Sequence, residues 1–491
     1  MKKCITRLIA VLIGANAVNN SYAQGTFHDA YNNFKQKAEA DCEDFRSKAN
    51  KEYADWMREA WEWHQKIEPM PRPKDEMMPP VIYEKGKEEE KEKEQSKPLP
   101  HEEVIPVPKP APQPNPIAPI RENEEEYQTA SFMFFGTNGQ VRLPKDYTFR
   151  LKGNDEEAFA SAWEELSSNR YDNLILDCLK LRKEHQLCDW AYLMMLGALS
   201  ESVCGKGTNE ATMMQAFLLC QSGYKIRMGF TKKKDLRLLF KSDHLIFDLN
   251  GIKMDDGNYY LLLPIDDEGL NVCDISYPEE KPLSLWITKE QKFTEKISGE
   301  RQLTSKDGMI SIKTQTNKNL LAFYSTYPTS MLGKDVVSRW AMYAKTPLSS
   351  STRKKIYPQL EAIVRNDNKV LAANRLLSWV QTAFVYEYDD KVWGRDRAFF
   401  AEETLFYPYC DCEDRSILFS RLVRDLLGLE VILVFYPGHL ATAVAFNTPV
   451  EGDYIELNSK RYTICDPTYI GAPIGMTMDG MDNKTAKVII L

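Results

Sequence analysis

Three residues late in the chain, Cys412, His439 and Asp466, have the types and the order that thiol acyl transfer needs. Cys412 lies in Tyr409-Cys410-Asp411-Cys412-Glu413-Asp414-Arg415-Ser416, and His439 in Tyr436-Pro437-Gly438-His439-Leu440. Asp466 lies in Tyr462-Thr463-Ile464-Cys465-Asp466-Pro467-Thr468-Tyr469. In such chemistry a thiolate attacks a carbonyl, a histidine moves the proton, and a carboxylate orients the histidine. Of six histidines, His439 is the only one after His244, so it is the base that a Cys412 nucleophile would use within its own domain.

The local patterns suit these roles. A helical pattern over Ser416–Leu427 follows Cys412 directly. Helix N-termini carry free N–H groups and partial positive charge, so a cysteine there is expected to have a lowered pKa. The backbone N–H of Cys412 is a candidate oxyanion donor, with Trp393, Tyr407 and Tyr409 as candidates for the second. His439 follows a Pro437-Gly438 turn and enters an apolar strand, and Asp466 ends the strand pattern Arg461–Cys465. The tetrapeptide Asp-Cys-Glu-Asp means little alone, since it recurs at Asp41–Asp44 with no histidine and aspartate following in a comparable frame. Cys42 is therefore expected to pack, as are Cys410 and Cys465 unless they form a disulfide.

At 491 residues the chain should hold more than one domain, and its net charge of −8, with no basic cluster, argues against nucleic acid as a partner. Lys2 and Lys3, the apolar stretch Leu8–Val18 and the small-x-small site Ser21-Tyr22-Ala23 read as an export signal over residues 1–23. The expected location is periplasmic or extracellular, with no transmembrane helix after signal removal. Phe27, Tyr31, Phe34, Ala38, Cys42, Phe45, Ala49, Tyr53, Trp56, Ala60 and Trp63 step by three or four. That period predicts one amphipathic helix over 27–63, within a segment 24–67, that docks on its own domain or on another copy. Residues 68–125 hold fourteen of the 26 prolines and the charged run Lys85–Glu94. They read as an extended, semi-rigid linker, and removing residues 24–125 is expected to leave a soluble, folded core.

The remainder reads as α+β. Helices are expected at Glu156–Ser167, Trp190–Ser202, Glu210–Ser222 and Leu371–Phe384. Strands are expected at Leu320–Tyr324, Val431–Phe435 and Ala441–Phe446, among others. One unit also reads as repeated. From Cys412 to Gly428, and from Gly207 to Gly223, a 16-residue helical stretch ends in glycine and enters a strand. His244 and Asp274 then parallel His439 and Asp466, at separations of 30 and 27 residues. Glycine stands where the nucleophile should be, and Cys204 is three residues too early. Residues 126–300 are thus expected to be a degenerate unit and 301–491 the catalytic one.

The run Phe400-Ala401-Glu402-Glu403-Thr404-Leu405, then Asp411–Asp414, Gly428, Gly438-His439 and Asp466-Pro467-Thr468, resembles the transglutaminase-like superfamily and its bacterial cysteine-peptidase-like members. The resemblance covers residues 335–475 well and 155–285 weakly. It implies a papain-like α+β core with Cys412 as nucleophile, His439 as base and Asp466 as its orienter. One departure is Tyr409-Cys410, where relatives often have glycine. The implied reaction is hydrolysis of a peptide or isopeptide amide, with protein, peptide and peptidoglycan cross-link all fitting as substrates. Transglutamination is the alternative within enzymes, and a non-catalytic scaffold is the alternative outside them. No metal-ligand cluster or phosphate loop stands out, so no metal or cofactor is expected.

Overall fold

The computed structural model describes residues 23–73, 78–84 and 98–491, with side chains described from Asn32 onward except those of Phe34 and Glu39. The signal segment to residue 22, the charged run 85–94 and the stripe side chains Phe27, Tyr31 and Phe34 lie outside that description. The fold is mixed α+β.

One helix, α1 (Ala23–Glu59), opens the described chain. It buries Ala49, Tyr53, Ala54 and Met57 against α2 (Glu156–Leu166), with Tyr53 stacked on Trp163 at 4.4 Å. Arg46 pairs with buried Asp172 at 2.7 Å, and Gln221 donates to Asn50 at 2.8 Å. The helix docks on its own chain. Its end differs from expectation. Ala60 and Trp63 are not helical, because β1 (Trp61–Ile67) leaves the helix and becomes a strand. Trp63 lies two residues from Trp61, as in a strand, and three from Ala60, as in a helix, and pairing decides between them.

That pairing closes a six-stranded antiparallel barrel in the order β1–β7–β3–β4–β6–β5. The other strands are β3 (Ile226–Phe230), β4 (Leu236–Lys241), β5 (Gly251–Met254), β6 (Gly257–Leu261) and β7 (Gly269–Cys273). Leu239, Ile252, Met254, Tyr259, Leu261, Leu270 and Val272 form its buried interior. Helix α3 (Asn209–Gln221), capped by the Thr208 side chain, leads in through Gly223, whose φ of +91° suits glycine.

A second, open sheet carries the candidate site. Its order is β10–β11–β9–β8–β12–β2, with β2 (Glu103–Ile105), β8 (Glu430–Tyr436), β9 (His439–Ala445), β10 (Tyr454–Leu457), β11 (Lys460–Cys465) and β12 (Lys487–Ile490). Strand β2 runs parallel to β12 and the rest are antiparallel. Two helices cover this sheet's site end, α4 (Lys369–Ala383) and the fully buried α5 (Cys412–Leu422). A wider turn over Val423–Leu427 extends α5, and Gly428 ends it in the left-handed conformation.

Two expectations need correction. The proline-rich stretch is not a free spacer where it is described. β2 completes the sheet edge, Ile105, Ile117 and Ala118 are buried, and Arg182 donates to the Pro114 carbonyl at 3.1 Å. Leu320–Tyr324 is helical, within Lys318–Tyr324, because Asn317 caps it by accepting from the Asn319 N–H at 3.0 Å. The order helix, left-handed glycine, strand occurs in both units, but the barrel and the open sheet differ in topology.

Since α1, β1 and β2 all belong to packed layers, a fragment starting at residue 126 is expected to lose cooperative unfolding, while one starting at residue 23 keeps it. Tyr53→Ala alone is expected to cost about 3 kcal/mol. Circular dichroism melts decide: matching transitions in both fragments would contradict the packing described.

Candidate active site

Cys412 is the first residue of α5 and is fully buried. The first turn of α5 grips the start of β9. Ser416 Oγ donates to the Leu440 carbonyl at 2.7 Å, and the Leu440 N–H faces the Cys412 sulfur. The carbonyl of the residue next to His439 is therefore held by the helix that starts with Cys412. Arg415, also buried, fastens the same turn to the end of α4 by donating to Gln381 O at 3.1 Å and Phe384 O at 2.9 Å.

His439 opens β9 after a two-residue hairpin turn, in which Gly438 has a φ of +77°. Its Nε2 lies 2.8 Å from Asp466 Oδ2. Its Nδ1 is buried and makes no hydrogen bond among the described residues. Asp466 is held on its other oxygen, where Oδ1 accepts from the N–H groups of Thr468 at 2.9 Å and Tyr469 at 3.2 Å. A carboxylate so tethered fixes the imidazole's orientation and favours a proton on Nε2, leaving Nδ1 as the free nitrogen. His439 and Asp466 are 1% and 2% exposed. The structure thus pairs His439 with Asp466 and sets Cys412 against the neighbouring residue. Between Cys412 and His439 themselves there is no hydrogen bond; the thiol donates to Glu413 Oε2 at 3.3 Å.

The electrostatics reverse one expectation. Burial, and then the carboxylates of Glu413 and Asp411, push the Cys412 thiol well above its usual range. The Leu440 N–H works the other way but is outweighed. A helix N-terminus contributes at most about 2 kcal/mol, less than full burial beside two carboxyl groups costs a thiolate. So buried, the sulfur favours the neutral thiol form.

Those carboxyl groups form a cluster that the sequence did not reveal. Asp389, Asp411 and Glu413 are buried and bring ligand oxygens within 4.8 Å of one another. Among the described residues neither oxygen of Asp411 has a hydrogen-bond donor, nor does Glu413 Oε1, and the Asp411 and Glu413 carboxyls lie against each other. Burial and the nearby Glu413 raise Asp389 to about 8. Either protons or a cation must neutralise such a group, and these are the described residues that could hold one. Asp389 lies 22 residues before Asp411, too far for a spacing rule to find.

Other predicted contributors lie elsewhere. Trp393 and Tyr407 pack around Arg397, and Tyr409 is exposed. Cys410 and Cys465 are buried free thiols. Sequence reasoning missed Gln381, whose amide donates to the carbonyls of Asp466 at 3.0 Å and Ala472 at 3.1 Å and accepts from the Gly471 N–H at 3.1 Å. It also missed Tyr386, a half-buried ring beneath the Arg415 guanidinium. Burial, and then the charges of Cys412, Asp411 and Glu413, raise the pKa of its hydroxyl.

In the first unit the expected His–Asp pair does not form. His244 Nε2 accepts from the Leu285 N–H at 3.2 Å and its Nδ1 meets Ser330 Oγ at 3.3 Å. Asp274 accepts from Arg227 at 2.8 Å. Cys204 bonds Tyr147 at 3.3 Å, and Gly207 edges a cavity of about 570 Å³. No family model, curated protein or solved structure matches the chain.

Two consequences are measurable. Gln381→Ala strands two carbonyls and an N–H around Asp466, at an expected cost of about 2 kcal/mol in urea unfolding; a loss below about 0.5 kcal/mol would show that the loop holds itself. Burial also pushes His244 down to about 3. An unfolded histidine titrates near ~6.5, so as pH falls the unfolded chain takes the proton first. The contribution of neutral His244 is complete above ~6.5 and is lost as pH falls through that value toward 3. Replacing it in His244→Gln should flatten stability against pH between about 6 and 4, by up to ~1.4 kcal/mol per pH unit; an unchanged slope would contradict this.

Proposed function

We propose that this protein is an exported cysteine hydrolase of the transglutaminase-like superfamily that cleaves a peptide or isopeptide amide through a thioester. The observation that carries the reading is the buried Nδ1 of His439, free of any described partner while Asp466 holds Nε2, on the strand whose next residue is gripped by the first turn of the Cys412 helix. A base whose far nitrogen is anchored and whose near nitrogen is free is what nucleophile activation requires.

In the reaction, His439 Nδ1 takes the thiol proton as Cys412 Sγ bonds to the amide carbonyl carbon. Asp466 stabilises the imidazolium. The Cys412 N–H, at the start of the helix, donates to the oxyanion. The imidazolium then gives its proton to the leaving nitrogen, the C–N bond breaks, and a thioester remains. Water, losing a proton to His439, attacks the thioester, and that proton returns to the departing sulfur. With an amine in place of water the same steps give acyl transfer. Export directs the enzyme to protein, peptide or cell-wall cross-links as substrates. The first unit, with no His–Asp pair, serves as a structural or binding lobe.

A second reading has its own support. The Cys412 thiol donates to Glu413 rather than to His439, and its surroundings favour the neutral form. Those features suit a non-catalytic protein on the same fold.

Iodoacetamide labelling of the full chain, mapped by mass spectrometry, separates the two. The enzyme reading expects Cys412 to react faster than the equally buried Cys410 and Cys465, and to slow by about a hundredfold in His439→Ala, within the range general-base assistance supplies. Labelling indifferent to His439 would leave the scaffold reading standing.

A further inference from the structure

All three candidate catalytic side chains are sealed from solvent, with Cys412, His439 and Asp466 at 0%, 1% and 2% exposure. What lies over the loops that carry two of them is a short piece of the same chain, residues 78–84. The Met78 N–H donates to the Gly438 carbonyl at 2.9 Å, on the turn just before His439. The Met78 carbonyl accepts from the Tyr386 hydroxyl at 3.1 Å. Further on, the Ile470 N–H donates to Val81 O at 2.9 Å and the Tyr83 N–H donates to Ile470 O at 3.0 Å, a parallel β-bridge on the loop after Asp466. Tyr83 sets its ring edge-on to Tyr469 at 5.4 Å, and Val81 packs into the same apolar cluster with Ala472 and Met478. Val81 and Tyr83 are half-buried while Ile82 and Glu84 are exposed, the alternation of a strand. Pro79 and Pro80 hold the chain extended and offer no N–H of their own.

An extended segment bonded through its backbone, with alternate side chains in apolar contact, is how proteins bind peptides by strand addition. We propose that Gly438, Tyr386 and Ile470 form the peptide-binding groove of the site, and that residues 78–83 occupy it as an internal pseudo-substrate that keeps the site closed. The groove selects an extended peptide with apolar side chains at alternate positions, matching Val81 and Tyr83. This rests on the reading of Cys412 as a nucleophile. Its physical content, a strand that must leave before Cys412 is reached, is tested apart from that reading.

Labelling of a buried thiol proceeds through an opened form, so its rate is the opening constant multiplied by intrinsic reactivity. The strap acts on the first factor and His439 on the second. The experiment is iodoacetamide labelling of the full chain, as wild type and as the double variant Met78→Pro/Tyr83→Ala, which removes the N–H on Gly438 and the ring on Tyr469. The double variant should label Cys412 at least about tenfold faster. The synthetic peptide Met-Pro-Pro-Val-Ile-Tyr-Glu, residues 78–84, should slow it again, and a scrambled peptide should not. No acceleration, or acceleration that the peptide fails to reverse, overturns the proposal. Hydrogen exchange of the wild type guards against a damaged variant: the Ile470 and Tyr83 amides should open as often as Cys412 becomes reactive. Cys412 reacting much faster than those amides exchange also overturns it. Acceleration by the strap variant that is indifferent to His439→Ala keeps the strap and removes the catalytic reading; the reverse keeps catalysis and removes the strap.

Discussion

The site depends on where the first turn of α5 meets the start of β9. Ser416 takes up the carbonyl of Leu440, so the register between helix and strand cannot slip without breaking a buried hydrogen bond. That register sets the Cys412 end of α5 against the start of β9, where His439 is tied to Asp466. Arg415 and Gln381 extend the constraint outward, the first to the end of α4 and the second from α4 to the loop of Asp466. Buried polar groups of this kind leave few alternatives, because each broken partner would be stranded away from water.

The same burial sets the site's chemistry against itself. A thiolate at a helix N-terminus should be favoured, yet Asp411 and Glu413 flank the sulfur inside the protein and hold it neutral. Burial with opposing like charges outranks the helix end because water, which would screen the carboxyl groups, is absent. Relief can come from a cation among Asp389, Asp411 and Glu413 or from opening of the groove. The segment 78–84 lies across the loops next to His439 and Asp466.

The parts of this arrangement signalled by local chemistry were legible in the sequence. A glycine at 428, a Pro437-Gly438 turn and a proline after Asp466 mark element ends, so Cys412, His439 and Asp466 fell at a helix start, a strand start and a strand end as read. What depends on tertiary pairing was not legible. Trp63 fits a helix as well as a strand until β7 claims it. The proline-rich stretch reads as a spacer, although β2 and residues 78–84 use its few N–H groups to pair. The repeat was half legible: helix and glycine recur, but His244 finds Leu285 and Ser330 rather than Asp274.

If Cys412, His439 and Asp466 act as one unit, a double-mutant cycle on the Cys412 labelling rate shows it. His439→Ala and Asp466→Ala are made singly and together. If Asp466 acts only through His439, the double variant labels no more slowly than His439→Ala alone. Independent effects that multiply in the double variant would contradict the account.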